Sequence, residues 1–168
     1  SCGIHVHVDG AYFDAPALRN LIKMVAKHED LIYHAVGGMR SNCTTGDRSA
    51  ANWCQPVSET LLAAAMKKDA TIDSIVDAFY NDGRIGGASA RRGIRHYHGA
   101  RYRGLNLHNF AYRPNSPTVE FRYFEPTLHA GRVKSYIQMC LALAVRAKSV
   151  TKCSAKKVVL DTSKGKYQ

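Results

Sequence analysis

Hydrophobic and polar positions alternate strictly over residues 3–9, GIHVHVD. Ile4, Val6 and Val8 fall on one side and His5, His7 and Asp9 on the other, which is the period of a half-buried strand. The period then changes: Leu18, Leu21, Ile22, Val25 and Ala26 recur at helical spacing behind Asp14 and Pro16. Asp14 or a neighbour can cap that helix, and proline is tolerated in a first turn, so a helix is predicted over 16–28, ending near His28–Asp30. Residues 31–36 fit a second helix or a short strand. Residues 37–57 are rich in Gly, Ser, Asn and Thr and hold Arg40, Arg48 and Trp53; they read as a long loop. Ser58 can cap a helix over 59–68. Ile72, Ile75, Val76 and Phe79 form one face of another over 72–81, closed by Asp82-Gly83.

Residues 84–101, RIGGASARRGIRHYHGAR, read as a basic loop or irregular hairpin. Strands follow over 102–110 (YRGLNLHNF) and 118–124 (TVEFRYF), with a turn at Pro114–Pro117 between them. Residues 131–148 carry Val133, Ile137, Cys140, Leu141, Ala144 and Val145 along one side of a helix. From Thr151 the chain is Lys-rich, with Val158–Leu160 as an edge strand or a mobile arm. This order predicts an α+β fold: a curved, largely antiparallel sheet backed by helices 16–28, 59–81 and 131–148. The concave face of that sheet is expected to hold the site, rimmed by loops 37–57 and 84–101.

At 168 residues the chain suits one domain, expected over 1–150 with a basic tail at 151–168. An apolar fraction of 45% with 22% charged residues excludes a disordered chain. No apolar run reaches the ~18 residues that span a bilayer, and no leader peptide is visible. A start at Ser1, directly on a strand, is expected of a processed chain or a fragment. Five cysteines (Cys2, Cys43, Cys54, Cys140 and Cys153) stand at wide spacing with no C-x-x-C pair, which favours free buried thiols in a cytoplasmic setting over zinc or disulfides. Charge is uneven. Residues 1–83 hold 7 Lys and Arg against 10 Asp and Glu, while residues 84–168 hold 17 against 3. The second half therefore attracts polyanions: nucleotide phosphates, nucleic acid or an acidic polymer.

Three groups of residues carry chemistry. His5 and His7, at i and i+2 on a strand, share a face, where one imidazole can bind a divalent metal and the other a phosphate; an idle surface pair gives the same pattern. Glu120 and Arg122 share the face of their strand opposite Val119, Phe121 and Tyr123. There a carboxylate can bind a hard cation and a guanidinium can neutralise phosphoryl charge, or the two can form a plain surface ion pair. Arg101, Arg103 and Asn106 suit phosphate or carboxylate recognition, or make a basic strand edge, and Gly104 permits close backbone approach.

Together these segments resemble the amidoligase family, which belongs with glutamine synthetase and gamma-glutamylcysteine ligase. Ser1–Asp9 is similar to the family's CG-hydrophobic-HVHV strand, Tyr102–Asn106 to its Y-x-x-LN strand, and Thr118–Arg122 with Thr127-Leu128 to its TVEFR…TL block. Trp53-Cys54 resembles its aromatic-Cys pair. The likeness covers about residues 1–148 and implies a glutamine-synthetase-like fold and an ATP- and Mg²⁺- (or Mn²⁺-) dependent ligase. Such an enzyme activates a carboxylate as an acyl-phosphate, which an amine or ammonia then attacks. By the resemblance, His5 and Glu120 would hold the metal, His7, Arg101 and Arg103 the nucleotide, and Arg122 with Arg103 the acyl-phosphate. Substrates would be small-molecule or peptide carboxylates and amines.

The family's earlier E-x-E strand has no counterpart in these residues, and His129 stands where the family often has an acidic or amide residue. Another chain supplying that strand, or a longer protein that has been cut, is one expectation. An enzyme-derived fold kept as a structural component, as in a phage particle, is another. A basic nucleic-acid-binding domain, using Tyr97, Tyr102, Tyr112 and Tyr123, is the third.

Overall fold

The structure, a computed structural model, describes residues 3–36, 54–81 and 98–159. It is α+β. Among the described residues three strands form one open antiparallel sheet in the order β1-β3-β2, where β1 is Ile4–Asp9, β2 is Leu105–Asn106 and β3 is Thr118–Phe124. Among the described residues five α-helices accompany it: α1 (Ala15–Ala35), α2 (Glu59–Met66), α3 (Ile72–Tyr80), α4 (His108–Tyr112) and α5 (Ala130–Ser149). No helix among the described residues is long and apolar enough to cross a membrane.

The alternation of β1 and β3 separates two faces. Val8, Val119, Phe121, Tyr123 and Leu105 are buried in the core with Leu18, Leu21, Ile22 and Val25 of α1. α1 packs between α5 and α2, and α2 against α3. Register is regular from Val6↔Phe121 to Asp9↔Thr118, then slips by one residue before Ile4↔Phe124. This bulge lets two successive β3 residues enter the core. Tyr123 meets Tyr33 of α1 edge-on at 5.2 Å, and Phe124 stacks on Tyr136 of α5 at 4.4 Å.

Sequence-predicted caps are present. Asp14 accepts from Ala17 N, with proline in the first turn of α1, and Ser58 accepts from Leu61 N at the start of α2. Three expectations need correction. α1 does not stop near residue 28 but runs to Ala35, because Ile32 and Tyr33 continue its buried stripe. The strand expected over 102–110 shrinks to Leu105–Asn106, since the Asn106 side chain accepts from His108 N at 2.8 Å and turns the chain into α4. On α5 the packed residues are Cys140, Ala144 and Ala147, whose small side chains allow close approach to α1. Ile137, Leu141 and Val145 are 41%, 48% and 58% exposed.

The predicted loops fall largely on 37–53 and 82–97, outside the described residues, as do Cys2, Cys43 and Trp53. Cys140 and Cys153 are free thiols, and the Cys54 thiol donates to Arg122 O at 3.3 Å. The tail over 151–159 has no regular structure; Val158 N donates to Lys27 O of α1.

Candidate functional site

On the sheet face away from the core, His5 and His7 of β1 lie beside Glu120 and Arg122 of β3. Pairing of His7 with Glu120 and of Asn106 with Glu120 puts the carboxylate in the middle of three strands. Its two oxygens have different partners. Oε1 is 2.8 Å from Arg122 Nη1, 2.9 Å from His5 Nδ1 and 3.7 Å from His7 Nε2. Oε2 accepts from Asn106 Nδ2 at 2.6 Å. His7 is fixed from its other nitrogen, Nδ1 lying 3.0 Å from Thr118 Oγ1. Burial works to protonate Glu120, but the His5 hydrogen bond, then the Arg122 charge, His7 and the Asn106 amide outweigh it and hold the carboxyl at about 2.

These residues line a cleft of about 230 Å³ together with Arg101, His108, Asn109 and Arg113. Four of the sequence-predicted site residues (His5, His7, Glu120, Arg122) are therefore brought together, and Arg101 reaches the same cleft from the turn at Gly99–Arg101. His108, Asn109 and Arg113 were missed by sequence reasoning, which placed the first two on a strand. The available signal was Asn106 two residues before His108, a pairing that favours a turn into a helix. Tyr80 of α3 fixes the His108 ring, its hydroxyl lying 2.9 Å from Nδ1. His129, the departure from the family pattern, caps α5 by accepting from Arg132 N.

Arg103 is not brought to this cleft. It shares its parity with Leu105, whose side chain is in the core, and it is 2% exposed on the helix side. There its Nη1 donates to Pro56 O at 2.5 Å, beside Glu29 in a second cleft of about 400 Å³. Although larger, that cleft offers less chemistry. The Glu29 carboxyl is taken up by Val57 N at 3.0 Å and by the Tyr123 hydroxyl at 2.7 Å, and burial pushes it up to about 7.

A family model described as a putative amidoligase enzyme matches residues 1–144. The chain belongs to this family. No curated protein and no solved structure matches it. Within the amidoligase frame the donor set can be tested against a divalent cation. Two cis ligands of an octahedral ion with ~2.1 Å bonds stand about 3 Å apart, and Glu120 Oε1 and His5 Nδ1 are separated by 2.9 Å. Among the described residues, no group of three His, Cys, Asp or Glu side chains is arranged to hold a metal ion. One carboxylate and one imidazole fit an ion that takes its other ligands from phosphate and water, as magnesium commonly does. Around them Arg101, Arg113 and Arg122 suit the phosphate itself.

Proposed function

We propose that this chain contributes the nucleotide- and metal-facing half of an ATP- and Mg²⁺-dependent amidoligase, joining a carboxylate to an amine or to ammonia through an acyl-phosphate. The observation that carries this reading is Glu120: a buried carboxylate kept ionised, in contact with an imidazole and a guanidinium, in a cleft bordered by two further arginines. Phosphoryl transfer asks a protein for positioning and charge neutralisation rather than covalent chemistry, and this set supplies both.

In this reading His5 and Glu120 hold Mg²⁺ (or Mn²⁺), which when bound polarises the transferred phosphoryl group as a Lewis acid. His7, steadied by Thr118, donates from Nε2 to a phosphate oxygen. Arg122 and Arg101 offset the charge that builds on the acyl-phosphate, with Arg113 at the cleft rim. Arg103 serves from the helix side, holding Pro56 and the segment that leads into α2. The substrates are a small-molecule or peptide carboxylate and amine, and further carboxylates come from outside the described residues.

Calorimetric titration of the chain with ATP, in Mg²⁺ and in EDTA, tests the reading. Mg²⁺-dependent binding is expected in the wild type, weakened at least tenfold in His5→Ala and in Glu120→Ala. Equal binding in Mg²⁺ and in EDTA would rule the reading out.

A further inference from the structure

Arg122 occupies an unusual position for a residue meant only to greet phosphate. Its Nη1 is 2.8 Å from Glu120 Oε1 and 3.4 Å from His5 Nδ1, the same two atoms whose 2.9 Å separation fits a divalent cation. The guanidinium thus lies against both prospective ligands and carries the positive charge that the pair requires. It is not a loose surface arm: Arg122 is 8% exposed, and its backbone is tied into the sheet through Arg122 N to Gly104 O at 2.7 Å and Cys54 Sγ to Arg122 O at 3.3 Å. The other carboxylate oxygen, Oε2, accepts from Asn106 of β2, across β3 from His5, and Asn106 is itself 2% exposed and anchored by His108 N. A cation shared by Glu120 and His5 therefore meets Oε1, where it competes with Arg122.

We infer that Arg122 acts as an internal counter-ion that blocks the Glu120–His5 pair until a phosphate draws it away, so that divalent metal and phosphate are taken up as one unit rather than separately. Phosphate provides the exchange because its oxygens accept the same fork of N–H donors that the carboxylate releases. The guanidinium then moves from one anion to the other without being left unpaired in a buried site, which would be costly. The thermodynamic form is positive coupling. Phosphate raises metal affinity by the same factor by which metal raises phosphate affinity. Asn106 is the positioning residue of this arrangement, because it decides which oxygen is contested.

The inference rests on the ligase reading and deepens it. Binding of Mn²⁺ to the full chain, measured by equilibrium dialysis with the added phosphate at equal concentration on both sides so that its own chelation cancels, tests it without any turnover. In the wild type, Mn²⁺ alone is expected to bind weakly, and addition of ADP or inorganic tripolyphosphate to tighten it at least tenfold. In Arg122→Gln, Mn²⁺ alone is expected to bind at least tenfold more tightly than in the wild type, with the coupling reduced toward one. Circular dichroism checks that the variant is folded; if it is not, Arg122→Met is read in its place. Wild-type Mn²⁺ affinity that is indifferent to ADP and tripolyphosphate overturns the inference while leaving the ligase reading standing. So does a folded Arg122→Gln chain with unchanged Mn²⁺ affinity and undiminished coupling. Absence of Mn²⁺ binding in every wild-type condition overturns the ligase reading as well.

Discussion

A Cβ added at Gly104 would lie 2.1 Å from Cε1 of the Tyr123 ring, and that ring is buried and hydrogen-bonded to Glu29. Backbone and aromatic ring approach here more closely than any side chain permits. Gly104→Ala is expected to lower stability by about 1–3 kcal/mol through overpacking, measured by urea unfolding. A variant as stable as the wild type would show that the ring moves freely. At this scale much of the site was legible. Two-residue alternation alone put His5 with His7 and Glu120 with Arg122. It also held a warning about Arg103, because residues 103 and 106 have opposite parity and cannot share a strand face with each other. What alternation could not give was the meeting of the two strands, which rests on pairing between residues more than 100 positions apart.

Among the elements, α1 carries more than its own packing. Its successive residues Arg19 and Asn20 satisfy the carbonyls at the ends of both neighbouring helices. Arg19 donates to Ala65 O and Lys68 O beyond α2, and Asn20 Nδ2 donates to Ala147 O at 3.1 Å and Val150 O at 2.8 Å at the end of α5. The last carbonyls of a helix have no partners within it, so a buried amide there replaces water that cannot enter. Asn20→Ala is expected to cost about 1–3 kcal/mol and to speed amide exchange in the last turn of α5. Exchange confined to other elements would argue against this link. The caps of α1 and α2 could be read from sequence because they act over three residues. The length of α1 could not, because Glu29-Asp30 looks like a polar stop. Yet Glu29 stands four residues after Val25 on the apolar stripe, a spacing that marked it for burial.

For the whole molecule, that buried acid sets a pH response. The Glu29 carboxyl sits at about 7 in the folded chain against 4.5 unfolded, because burial penalises its charge. The folded state then holds the proton more tightly, so the stabilisation is complete below pH 4.5 and is lost as pH rises through about 7. The span amounts to on the order of 3 kcal/mol. Urea unfolding at pH 5 and pH 8 should show this loss in the wild type and little of it in Glu29→Gln; equal losses in both chains would place its origin elsewhere. Charge asymmetry was readable from the sequence, and the cleft joins its two halves: β1 brings histidines from the first, while Glu120 and every arginine around it come from the second. The one-residue slip between Ile4 and Val6 has a further consequence for how the chain tolerates length change. It divides β3 into two frames, one read by the cleft through Glu120 and Arg122, the other by the core through Phe124. Deleting Tyr123 would restore plain alternation, put Phe124 in the core-facing place of the lost ring, remove the contact with Tyr33, and leave the upstream frame untouched. The bulge thus works as punctuation, letting the cleft-facing and the packing halves of one strand drift in sequence independently so long as the extra residue stays between them.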